Sequence, residues 1–175
     1  NAKYLVEQLN KDIPVHTGTP GTYDKTRNEK RKWLGERKEM EQITPMLSIE
    51  DDRKGAPAFI VETAEKNSGD LELVTIGPLT NIAQALDLDA QLSTHINKIT
   101  MMAGASKVQG NVTPAAEFNV WADPESAAKV FGSGIPIRMV PLDVCHKTRF
   151  GREHLNDIGS NDHPFCQFVQ QSVDP

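Results

Sequence analysis

The stretch AAEFNVWADPESAAKVF, residues 115–131, places an acidic side chain, Glu117, among small and apolar residues, with Asn119 two places on and Asn111 shortly before. In extended backbone, side chains two apart share a face. Glu117 and Asn119 would then project together while Phe118 and Val120 turn away. A carboxylate accepts strongly from hydroxyl groups, and a carboxamide both donates and accepts. One carboxylate with two carboxamides is the mixture that a polyhydroxylated ligand, a sugar above all, requires. A buried Glu is costly unless paired or hydrogen-bonded, so the competing reading of Glu117 is an internal ion pair with Lys or Arg.

The elements around these groups follow from local signals. Asp123 suits an N-cap, Pro124 the first helical position and Glu125 the positive end of the helix dipole, and Gly132 and Gly134 close the helix. Upstream, NAKYLVEQLNKDIPVHTG reads as a helix with Tyr4, Leu5 and Leu9 on one side, then a short strand over 13–16. PAFIVETAEKNSGD is a helix with a stop signal. LELVTIG (71–77) is a strand, and Thr80 or Asn81 can cap the helix that follows. INKITMMAG (96–104) and IPIRMVPLDV (135–144) are further strands, and DHPFCQFVQQSV is a helix with Asp162 or His163 near its start. Strand and helix alternate with short connections. That pattern predicts an α/β fold, an open, largely parallel sheet with helices on both faces. Such sheets bind ligands beyond the carboxyl ends of their strands. The strands are few, so residues 1–175 read as a single, partial domain, incomplete at both ends.

Bulk properties narrow the function. A length of 175 residues suits one domain, and the net charge of -5 does not favour a nucleic-acid surface. Cys145 and Cys166 have neither metal-type spacing nor a disulfide framework, which reads as two reduced thiols in a cytoplasmic protein. No apolar run of about 18 residues predicts a transmembrane helix. The glycines of TMMAGASKVQGN do not follow the dinucleotide-binding spacing, and the NVT sequon at 111–113 is unspecific. Residues 24–54 are dense in charge of both signs, a solvated helix or a mobile insertion or loop, with Trp33 and Leu34 docking it or forming part of a lid.

VTIGPLTNIAQAL, MMAGASKVQGNVTPAAEFNVWADPESAAKVF and MVPLDVCHK, in that order, resemble the inosine-uridine-preferring nucleoside hydrolase family. The resemblance runs from about residue 57 to about 150, and the opening helix and strand are similar too. It implies a Rossmann-like fold and hydrolysis of the N-glycosidic bond of ribonucleosides to ribose and free base, in purine and pyrimidine salvage. It implies a calcium ion, with the backbone carbonyl of Thr80 as one ligand. Met102, Asn111, Glu117 and Asn119 match substrate-binding positions. Glu117 and Asn111 would grip the 5′-hydroxyl side of the ribose and Asn119 the 2′/3′ side. His146 would support the site or act as a structural histidine, and Cys145 replaces the family's usual threonine. The small-residue turn reads MAG where MGG is usual.

The family's N-terminal aspartate cluster and its late His-Asp pair are not matched. Asp51 and Asp52 are adjacent, but no strand precedes them, so they do not read as that cluster. The main acid and base and most calcium ligands are therefore expected outside this chain, which alone would be inactive. The family further implies a homo-oligomer, a dimer or tetramer, with a nucleoside substrate and neither a nucleic-acid nor a membrane partner. The alternatives are a non-catalytic nucleoside or ribose binder and a structural α/β domain.

Overall fold

The computed structural model describes residues 2–24, 55–149, 151–159 and 163–173. In chain order the described elements begin with α1 (Ala2–Gln8), α2 (Gly55–Lys66), β1 (Leu71–Thr75), α3 (Thr80–Leu88), α4 (Leu92–His95) and β2 (Ile96–Met102). They continue with α5 (Phe118–Ala122), α6 (Pro124–Phe131), β3 (Ile137–Val140), α7 (Leu142–Cys145), α8 (Arg152–Gly159) and α9 (Pro164–Val173). The chain forms two compact units.

The larger unit takes in 17–24 and 55–148 and holds the sheet. Its strands pair in parallel in the order β1-β2-β3, with Val74 opposite Thr100 and Met101 opposite Met139. The expected open parallel α/β sheet is what the chain builds. The central strand, β2, buries Ile96, Ile99 and Met101, as a strand covered on both faces must. Edge strand β1 alternates instead, with Leu71 and Leu73 half-buried and Glu72 and Val74 exposed. The core joins β2 to Ala64 of α2, to Ile82, Ala83 and Ala85 of α3, and to Ala127 and Val130 of α6. Alanines on the buried helix faces let backbones approach closely, while Leu92, Ile99, Met101 and Val130 are the largest fully buried apolar side chains. Each such side chain, fully buried, contributes about 1.5–3 kcal/mol.

Several local expectations give way to longer-range contacts. No strand forms over 13–16, where the backbone is irregular; Pro14 has no amide hydrogen to give to a ladder. Neither Thr80 nor Asn81 caps α3. The N-cap position is Leu79, with no side-chain bond. The Thr80 hydroxyl instead donates to Asp123 Oδ2, and Asn81 Oδ1 accepts from the Thr19 amide at 2.8 Å. The expected strand over 135–144 shortens to four residues, because Pro141 turns the chain and Leu142 N–H bonds Gly104 O at 3.0 Å to open α7. The helix expected from its Asp123 cap forms as α6, but a short helix, α5, precedes it where extended backbone was expected, and the two are separated at Asp123, whose φ is -150°.

The 17–24 segment is strapped to α3 and α6. Besides the Asn81 bond, Thr19 Oγ1 donates to Gln84, Tyr23 N–H to Asp123 Oδ2 at 2.8 Å, and the Tyr23 hydroxyl to Asp87. Beyond Asp24, the charged insertion lies outside the described residues, as do Asp51 and Asp52.

The smaller unit includes α1, α8 and α9. The Tyr4 and Phe168 rings meet with centroids 5.7 Å apart. His163 Nδ1 accepts from the Phe165 amide at 3.2 Å, so this residue closes the start of α9 as expected. Helix α8 was not anticipated from its charged sequence.

Candidate active site

The candidate groups lie beyond the carboxyl ends of the three parallel strands. Thr80 follows β1, Met102 ends β2, the 103–119 stretch follows it, and His146 follows β3. The junction between the β2 loop and α5 is the most organised part. Glu117 is the N-cap of α5, with extended backbone at φ -84° and ψ 148°. Its side chain is 2% exposed, and both carboxylate oxygens are committed. Oε1 accepts from Asn119 N–H at 2.8 Å, while Oε2 accepts from Gly104 N–H at 2.9 Å and Val120 N–H at 3.3 Å. The carboxylate therefore ties the turn after β2 to the first turn of a helix, where orphan amide donors and the helix dipole both favour negative charge. Its charge is met by backbone amides, and no Lys or Arg pairs with it among the described residues.

Asn119 is the second residue of α5, so the shared strand face expected for Glu117 and Asn119 is replaced by a helix start. The two side chains still converge. Asn119, 8% exposed, donates through Nδ2 to Met102 O at 3.0 Å and lies 3.1 Å from Met102 Sδ. Asn111 completes the junction, its Oδ1 accepting from Phe118 N–H at 2.8 Å. Met102, Asn111, Glu117 and Asn119 are thus held in one hydrogen-bonded assembly.

Thr80 lies in the first turn of α3, and its hydroxyl links it to Asp123, between α5 and α6. Asp123 is fully buried and N-caps α6 through Oδ1, which accepts from Ser126 N–H at 3.3 Å. His146 is exposed at the C-cap of α7, its backbone amide on Leu142 O at 2.8 Å. Its ring makes no hydrogen bond among the described residues.

Sequence reasoning missed one group here. Asp143, on α7, accepts from Ser106 N–H at 2.8 Å and Lys107 N–H at 2.7 Å. The Ser106 amide foremost, then the Lys107 amide, holds its carboxyl below the ordinary carboxylate range. The signal was available in PLDV, an Asp just past a strand end. An open cleft of about 400 Å³, lined by Ser106, Lys107, Val108, Pro141, Asp143 and Lys147, adjoins it. A second cleft of about 360 Å³ runs along β1 and the start of α3. Neither cleft is lined by Glu117 or Asn119.

The fold is an open parallel α/β sheet, and these polar side chains gather at its carboxyl edge, where such folds bind their ligands. The sequence profile of the inosine-uridine preferring nucleoside hydrolase family matches residues 1–174, and the chain belongs to that family. It is 36% identical over 175 residues to the pyrimidine-specific ribonucleoside hydrolase RihA of Shewanella sp. (strain ANA-3), covering 99% of this chain and 55% of that protein. It is 32% identical over 177 residues to the probable uridine nucleosidase 2 of Arabidopsis thaliana, again covering 99% and 55%. Among solved structures, the purine-preferring ribonucleoside hydrolase from Gardnerella vaginalis superposes with a TM-score of 0.80 at 26% identity, over 99% of this chain and 57% of that one. The chain thus spans about half the length of these relatives.

Proposed function

We propose that the intact protein hydrolyses the N-glycosidic bond of ribonucleosides to ribose and free base, with Met102, Asn111, Glu117 and Asn119 holding the ribose. The observation that carries this reading is the junction at the end of β2. Two buried polar side chains converge there, each anchored to the loop backbone before any ligand arrives. An anchored carboxylate accepts from a ribose hydroxyl through its remaining lone pairs without reorganising. Contacts that tighten as the sugar ring distorts supply the differential binding that catalysis requires. Glu117 serves as a binder and not as the base, since oxygens already accepting from three amides are poorly placed to take a proton from water.

Family membership implies calcium. The described residues offer it one neutral ligand, the Thr80 carbonyl, and no group of three or more His, Cys, Asp or Glu side chains that could hold a metal ion. Calcium takes about 6–8 oxygen ligands with carboxylates among them. The described residues do not fit the ion by themselves, and the main acid and base are assigned to residues outside them. His146 is at most a support at the rim. The relatives differ in base, pyrimidine-specific in one and purine-preferring in another, so inosine and uridine are both test substrates. The reading places the protein in the cytoplasm as a homodimer or tetramer serving nucleoside salvage, without nucleic-acid or membrane partners. No helix among the described residues is long and apolar enough to cross a membrane.

The test is kcat/KM for inosine and uridine in the intact protein and in Asn119→Ala and Glu117→Ala, beside melting curves. Each variant removes a hydrogen-bonding partner costing about 1–3 kcal/mol, or roughly 5- to 150-fold in rate. Asn119→Ala is the cleaner of the two, because Glu117→Ala also strips three backbone amides of their acceptor. Unchanged kinetics in both variants overturn the ribose assignment. Saturable nucleoside binding without turnover in the wild type would assign a binder instead of an enzyme.

A further inference from the structure

The loop from Ala103 to Gly110 is held by two carboxylates from different directions. Glu117 takes its first turn through Gly104 N–H, and Asp143 takes its tip through the consecutive amides of Ser106 and Lys107. Asp143 itself is fixed, because α7 begins where Leu142 N–H bonds Gly104 O at 3.0 Å. The far end of the same loop closes through Gly110 N–H on Pro114 O at 3.2 Å and delivers Asn111 to the Phe118 amide at 2.8 Å. Without Asp143, the described bonds of the 105–109 stretch lose their one side-chain anchor, and the path from β2 to Asn111 loosens.

We propose that Asp143 is a positioning residue for the sugar site: its carboxylate clamps the Ser106–Lys107 turn and thereby sets where Asn111 meets the start of α5. The proposal rests on the ribose reading above for its functional consequence, but its structural half stands alone. An ionised carboxylate can take one amide on each oxygen, as here, whereas a carboxamide presents one acceptor and one donor to the same two amides. Asp143→Asn therefore keeps half of the clamp, and Asp143→Ala none. Even a small displacement of a group that positions substrate can cost a large factor in rate.

The deciding measurement is residue-resolved amide hydrogen exchange at neutral pH in wild type, Asp143→Asn and Asp143→Ala, joined to kinetics of the intact protein. In Asp143→Ala we expect Ser106 and Lys107 to exchange at least about 10-fold faster, and Phe118 several-fold faster through the loosened Asn111. The Gly104 amide, held by Glu117, and the buried β2 amides should keep their rates. A merely local role would leave Phe118 unchanged, and that outcome overturns the proposal. In the kinetics, kcat/KM for inosine or uridine should fall about 10-fold in Asp143→Ala and less in Asp143→Asn, at temperatures where all three proteins are folded. Faster exchange with unaltered kcat/KM also overturns it. If wild type hydrolyses neither nucleoside, the functional reading fails, and the Phe118 amide alone decides the clamp.

Discussion

Replacing Asp123 with alanine tests whether this buried carboxylate holds three parts of the larger unit together. The residue is fully buried and accepts three bonds, from Ser126 N–H, Tyr23 N–H and the Thr80 hydroxyl. Loss of an N-cap costs about 1 kcal/mol. Two further donors left without an acceptor in the interior cost about 1–3 kcal/mol each. The sum, about 3–7 kcal/mol, is a large share of the roughly 5–15 kcal/mol that ordinarily separates folded from unfolded chains. Asp123→Asn keeps the shape and one acceptor oxygen but turns an amide donor toward the Tyr23 amide and the Thr80 hydroxyl. It should cost about half as much. Urea unfolding of the three proteins gives the comparison, with equal m-values confirming that the denatured state has not changed. A loss below about 1 kcal/mol for Asp123→Ala would refute the accounting and mean that water or neighbouring groups take over all three donors.

Two other perturbations probe different physics. At Gly110 an added Cβ would run into the carbonyls of Ala116 and Thr113, so Gly110→Ala should open the 110–116 turn, lower the melting temperature and weaken nucleoside binding together; an unchanged melting curve contradicts the close approach. Lys129 pairs with Asp87 beneath the Tyr23 ring, its ammonium 5.5 Å from the ring centroid. The Lys129 bond first, then the Tyr23 hydroxyl, lowers the Asp87 pKa, and Asp87 raises that of Lys129. The pair's stabilisation is then fully present between the ordinary carboxylate and lysine values. It is lost as pH falls through the lowered Asp87 value, or rises through the raised Lys129 value. The pair is exposed, so Lys129→Met should cost less than about 1 kcal/mol at neutral pH. The difference should fade in strong acid and in about 1 M salt; one that persists in both would belong to packing on Tyr23.

Sequence reading succeeded where a signal was local and failed where the partner lay far along the chain. Asp123, Pro124 and Glu125 announce a helix start, and α6 begins there. Alternating strand and helix signals were enough for the parallel α/β sheet. The role of Thr80 was not legible, because its hydroxyl goes to an acceptor 43 residues away. An Asp three residues before Ser126 looks like a cap, and nothing nearby says that it also receives Tyr23 and Thr80. Glu117 and Asn119 were rightly grouped but for the wrong reason. An N-cap and the second residue of a helix brought them together, not the two-residue period of a strand. Asp143 went unread because its partners are the amides of Ser106 and Lys107, which are donors whatever side chains they carry.

Tyr23 and Asp123 stand 100 residues apart in sequence. Closing a flexible chain of that length costs about 4 kcal/mol in entropy, against roughly 1 kcal/mol for the hydrogen bond formed. The contact therefore becomes favourable only after β1, β2 and the helices between them have condensed and brought the two ends close. On that accounting the 17–24 segment is expected to latch late in folding and to release early. Its release costs those hydrogen bonds and the packing of Tyr23 against the core, and we expect it to open and reclose many times within the lifetime of the sheet, as a cooperative unit of its own. The exchange rate of the Tyr23 amide, set against those of Ile99 and Met101, would time that latch directly.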